Sequence, residues 1–159
     1  MRIVKSTCVV ILLTVLAACS SSEKDITGAA KINNAFKLFE KAHSSMYSGN
    51  FRSAVEYLER LDSLYPFGAY SHQAQLNLIY SYYQLNDYAS GIASAERFIR
   101  EKPGRRGLDY AYYMKGLINF STETRFGKEL FAAPISERDA GAARQSFDDF
   151  AELIRLFPN

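Results

Sequence analysis

One segment of this 159-residue chain returns twice. YSGNFRSAVEYLERLDSLYP (Tyr47 to Pro66) aligns with QLNDYASGIASAERFIREKP (Gln84 to Pro103) at a constant offset of 37 residues. DAGAARQSFDDFAELIRLFP (Asp139 to Pro158) follows at an offset of 55, so about 18 extra residues precede the third copy. A fixed period constrains the fold more than any other feature here. A unit that cannot bury its own apolar face must stack on its neighbours.

Within each copy the apolar residues recur at helical spacing: Val55, Leu58, Leu61 and Leu64; Ala95, Phe98 and Ile99; Phe147, Phe150, Ile154 and Phe157. Asn50, Asp87 and Asp139 suit N-caps or turns, and each closing proline ends its helix because it cannot continue the backbone ladder. A further helix is expected upstream of each, at 32–48, 70–85 and 108–122. Helix, short turn, helix, proline at this period is the tetratricopeptide pattern. The expected fold is therefore all-α, a helical solenoid of about three helix pairs, with repeats at 31–67, 68–104 and 105–159. Ala42 and Gly116 are small where paired helices must approach closely, as are Ala54, Gly91 and Ser146; Ile79 departs from that rule. The insertion at 122–138 carries Phe126, Leu130, Phe131 and Ile135, and Gly127 and Pro134 are expected to interrupt helix there. It reads either as a loop folding back on its own repeat or as a partner contact.

The N-terminus is organised differently. Arg2 and Lys5 precede a run from Cys8 to Leu16 that is apolar except for Thr14. This is about half the roughly 20 residues needed to span a bilayer, so it reads as an export signal. Leu16-Ala17-Ala18-Cys19 resembles the lipobox of bacterial lipoproteins. That resemblance implies a signal peptide at 1–18, a diacylglyceryl and acyl (palmitate-type) anchor on Cys19, and a flexible tether over 19–30. Ser20, not Asp, follows the cysteine, which by the same resemblance implies sorting to the outer membrane. Cys8 and Cys19 are the two cysteines, so none remains for a disulfide or a metal.

Without Arg2 and Lys5, 17 basic side chains balance 17 acidic ones. No basic excess points to nucleic acid. No HExxH, GxSxG, Gly-rich phosphate loop or CxxC is present. Ser71 and His72 are adjacent and so diverge by about 100° on a helix, which rules them out as a nucleophile–base pair. Asp148 and Asp149, also adjacent, read as solvated. The expectation is a non-enzyme with no cofactor and no metal.

The stretch SLYPFGAYSHQAQLNLIYSYYQL is crowded with aromatic residues. Tyr80 and Tyr83 lie one turn apart and Tyr82 points elsewhere. Tyrosine pairs an apolar body with a polar tip, which suits half-exposed binding surfaces; packing within the repeats is the competing explanation. LDSLYPFGAYSHQAQLNLIYSYYQLNDY, ERFIREKP, LDYAYYMKGLINF, SERD and ARQSFDDFAELIRLFPN together resemble the BamD family of outer-membrane β-barrel assembly lipoproteins, also described as competence lipoproteins, over about 31–159. The resemblance implies a scaffold tethered by lipid to the periplasmic face of the outer membrane of a Gram-negative bacterium. Its implied partners are the barrel-forming subunit, smaller assembly lipoproteins and unfolded barrel proteins, whose aromatic-ended targeting strand it would accept. Tyr65, Phe67 and Tyr70 fall in the recognition region by position, and Tyr80 and Tyr83 join them as candidate peptide contacts. The family continues for roughly two more repeats, so the chain reads as its N-terminal part, truncated at the C-terminus. The alternative is a generic periplasmic tetratricopeptide adaptor lipoprotein outside barrel assembly.

The lipobox reading has a direct consequence. Cys19→Ser is expected to leave the precursor uncut and unlabelled by radioactive palmitate. A variant that still fractionates as a mature, lipid-labelled membrane protein contradicts it.

Overall fold

The computed structural model describes residues 28–101, 104, 106–129 and 141–158. Cys19, the lipobox and insertion residues 130–138 lie outside them. Six helices make up the described residues: α1 (Gly28–Tyr47), α2 (Phe51–Leu64), α3 (Ser71–Gln84), α4 (Tyr88–Glu101), α5 (Leu108–Glu129) and α6 (Gly141–Leu156). They form three successive pairs, as the tetratricopeptide pattern requires.

The turns inside the first two pairs repeat in detail. Asn50 N donates to Ser45 O and Gly49 N to Met46 O; 37 residues on, Asp87 N donates to Tyr82 O and Asn86 N to Tyr83 O. Each set is a Schellman closure, which needs a left-handed residue at its centre. Gly49 (φ 75°) and Asn86 (φ 58°) supply it, glycine in one copy and a tolerant asparagine in the other. The next residue then caps the second helix. Asn50 Oδ1 accepts from Ser53 N and Asp87 Oδ1 from Ser90 N, both at 3.2 Å.

Two apolar clusters form the core. Ala42, Val55, Leu58, Leu61, Ala74 and Leu78 join α1, α2 and α3. Leu76, Ile79, Ala95, Phe98, Ala111, Met114 and Ile118 join α3, α4 and α5. Ile79, large where the pattern favours a small residue, is fully buried in a cluster that includes the small Ala95 and Ala111. The close approach expected at Gly116 and Ser146 is present. Ser146 Oγ donates to Gly116 O at 3.0 Å, and a Cβ on Gly116 would stand 2.9 Å from the Phe150 ring.

Two expectations fail. α5 does not stop near Thr122 but continues through Gly127 to Glu129. A lone glycine costs a helix only about 1 kcal/mol, and Glu123, Arg125, Lys128 and Glu129 around it are tolerated or favoured in helices. Asp149 is not solvated either. It is 2% exposed, accepts from Asn119 Nδ2 at 2.7 Å and Gln145 Nε2 at 3.1 Å, and pairs with Lys115 Nζ at 3.0 Å. Burial alone would lower the Lys115 pKa; the hydrogen bond and charge of Asp149, with Glu96 behind it, outweigh this and raise it. A buried carboxylate is tolerated only when so paired.

This network sets a stability prediction. Asp149→Ala strands the Asn119 amide and a half-buried ammonium, and is expected to cost about 3 kcal/mol in urea unfolding. Asp148→Ala, one residue away but exposed, is expected to stay within about 0.5 kcal/mol. Equal effects would contradict the assignment.

Candidate functional site

The turn after α2 is pinned. Tyr65 N closes the helix onto Leu61 O, Gly68 N donates to Tyr65 O and Ser71 N to Gly68 O. Ser71 Oγ, itself buried, donates to Pro66 O at 2.6 Å. Glycine at 68 relieves crowding rather than serving unusual backbone angles: a Cβ there would sit 3.2 Å from both Cβ and O of Tyr65. From this fixed turn Phe67 projects into solvent, 95% exposed. A large apolar side chain is thus offered to solvent from a turn fixed by hydrogen bonds.

Phe67 edges a cleft of about 520 Å³ between α2, α3 and α4. α2 contributes Glu59, Asp62 and Ser63. α3 contributes Gln75, Leu78 and Tyr82, and α4 contributes Ser94, Arg97 and Glu101. The last two sets follow i, i+3, i+7 spacing, one face of each helix. Asp62 ties the three helices together: Oδ1 accepts from Gln75 Nε2 and Oδ2 pairs with Arg97 Nη1, both at 2.8 Å. The Tyr82 hydroxyl donates to Glu59 Oε1 at 2.5 Å. Burial first, then Glu59, pushes its pKa above the usual phenol range. A second groove of about 400 Å³ lies between α5 and α6, lined by Asp109, Tyr110, Tyr113, Leu153, Ile154 and Phe157. Burial, with smaller contributions from Tyr80 and Tyr113, pushes the Tyr110 pKa up to about 12.

The five aromatics singled out in the sequence do not converge. Phe67 alone lines the cleft. Tyr65 is the half-buried C-cap of α2. Tyr70 faces α1, stacked on Phe39 at 5.0 Å and tilted against Phe36 at 5.9 Å. Tyr80 meets Phe51 edge-on at 5.8 Å and Tyr83 meets Tyr88 at 6.4 Å, both packed on the α3–α5 core. Sequence reasoning missed Asp62, Gln75, Arg97 and the Glu59–Tyr82 pair. No local pattern sets Gln75 apart, because Ser71, Gln73, Asn77 and Ser81 are polar on the same helix. Ser71 and His72 diverge as expected: Ser71 bonds Pro66, while His72 Nε2 donates to Arg106 O at 2.7 Å. Among the described residues, no group of three or more His, Cys, Asp or Glu could hold a metal. No described helix is long and apolar enough to cross a membrane.

A family model described as tetratricopeptide repeat matches residues 25–159. The chain belongs to the tetratricopeptide-repeat family. Among curated proteins it is similar to outer membrane protein assembly factor BamD. The Vibrio cholerae relative is 39% identical over 147 residues, 92% of this chain and 59% of that protein. The Haemophilus influenzae relative is 31% identical over 159 residues, all of this chain and 59% of that protein. The Xylella fastidiosa relative is 34% identical over 122 residues, 77% of this chain and 42% of that protein. The likeness to BamD drawn from the YPFG and RFIR segments is borne out, and the chain spans about three-fifths or less of these relatives' length.

The raised groups predict a pH dependence. A group whose folded pKa is raised binds protons more tightly in the folded state. Its stabilisation is complete below the unfolded pKa and disappears as pH rises through the folded one. Tyr82, Tyr110 and Lys115 all act in this direction. Urea midpoints should therefore hold steady up to about pH 10, the ordinary tyrosine range, and fall towards pH 12. Tyr110→Phe should flatten part of that fall. A midpoint rising with pH above 10 contradicts the packing described.

Proposed function

We propose that this chain is a lipid-anchored scaffold of outer-membrane β-barrel protein assembly. On this reading Cys19 carries the anchor, the helical domain stands on the periplasmic face, and the chain meets a barrel-forming subunit and small assembly lipoproteins. Phe67 and the adjoining cleft hold extended segments of unfolded barrel proteins. No catalysis is involved; the chain works by binding and positioning. The observation that carries the reading is similarity to BamD over 92% of the chain, together with a bare phenylalanine on a pinned turn. A generic periplasmic adaptor shares the repeats but is not favoured by that similarity. Tyr70, Tyr80 and Tyr83 enter this proposal as packing that shapes α3; Tyr65 sets the exit of the turn.

The exposure of Phe67 makes the test clean. Phe67→Ala removes almost no packing, so the melting temperature should not move. Binding of an unfolded barrel protein should weaken by about 2 kcal/mol, or roughly thirtyfold. Tyr70→Ala should instead lower the melting temperature, because its ring is stacked against α1. Unchanged binding by Phe67→Ala contradicts the proposal, as does failure of barrel-assembly subunits to co-purify with the intact chain.

A further inference from the structure

The charges of the cleft are unbalanced. Among the described residues, Glu59, Asp62 and Glu101 line it against a single guanidinium, that of Arg97. Arg97 is already committed to Asp62 at 2.8 Å. The other Asp62 oxygen takes the Gln75 amide at 2.8 Å. A carboxylate only accepts, so the amide nitrogen of Gln75 must be the end that faces Asp62. That fixes the side chain and leaves Gln75 Oε1 with no donor among the described residues, although the residue is only 6% exposed. A buried acceptor without a donor is costly and calls for an explanation. At the rim, Glu101 is exposed and has no ion-pair partner among the described residues.

An occupant that offsets the charge of Glu59, Asp62 and Glu101 is cationic and brings N–H donors with it. We propose that the cleft takes a lysine or arginine side chain from an internal stretch of an extended polypeptide, with a nearby apolar residue of the same stretch resting on Phe67. In an extended chain residues i and i+2 point to one side, so one face can present both groups. A chain-terminal carboxylate is the wrong ligand here. It would add negative charge to a cleft already in excess, and would share the one Arg97 charge with Asp62, whose side chain is 12% exposed. The proposal rests on reading the cleft as a polypeptide site and adds the chemistry that the site selects.

The test uses the full chain in detergent and fluorescein-labelled nine-residue peptides with amidated C-termini. The peptides alternate valine and threonine around a central Lys-x-Phe, or around the same core with Gln or Glu in place of Lys. The Lys peptide is expected to bind roughly tenfold tighter than the Gln peptide at low salt, and the advantage should shrink at high salt. Glu101→Gln and Glu59→Gln should each weaken the Lys peptide several-fold and leave the Gln peptide unchanged; position 101 is exposed and glutamine at 59 can still accept from Tyr82. Equal affinity for the Lys and Gln peptides overturns the charge preference while leaving the cleft a polypeptide site. Absence of binding by all three overturns both.

Discussion

α3 is enclosed almost all round. Ala74 and Leu78 face the cluster shared with α1 and α2, while Leu76 and Ile79 face the cluster shared with α4 and α5. A helix buried on opposite sides cannot be amphipathic in the ordinary sense, and three of the polar residues it buries hold partners inside the protein. Ser71 bonds Pro66 and so fixes the turn that carries Phe67. Gln75 bonds Asp62 and so fixes the cleft wall. Asn77 accepts from Gln73 and lies 3.3 Å from His43 Nε2 of α1. The same enclosure that joins the two cores therefore builds the candidate site.

Much of the fold was legible because repeats impose local rules that sequence displays openly. The 37-residue offset located the first two helix pairs and the caps at Asn50 and Asp87, and the 55-residue offset of the third copy placed the small Ser146 against Gly116. The same 37-residue offset aligns Gly49 with Asn86, but that both adopt positive φ is visible only in the backbone. Gly127 misled because a breaker's cost is small beside the helix formers around it. Asp149 misled because an exposed acidic pair and a buried acid with three donors look alike until α5 is placed beside α6.

The site was less legible than the fold. Aromatic crowding marked the turn that carries Phe67 together with residues that pack elsewhere, because aromatics also serve as packing. Tyr70, Tyr80 and Tyr83 are absorbed by neighbours on three different helices, and Phe67 is not. What distinguishes the cleft is a set of polar groups drawn from α2, α3 and α4. Asp62 and Arg97 are 35 residues apart in the chain, and no local pattern pairs them.

A rigid turn bearing one bare aromatic ring, beside a polar cleft, is suited to hold a chain segment with little ordering cost on the protein's side. The central claim is that extended polypeptide is held at this place, and the α5–α6 groove serves as the comparison. Site-specific photo-crosslinking tests it most directly. A photo-reactive phenylalanine analogue is placed at position 67 in one protein and at position 154 in another, and each is irradiated with an unfolded barrel protein. The account predicts strong crosslinks from position 67 and weak ones from position 154. Crosslinks from position 154 with none from position 67 would contradict it.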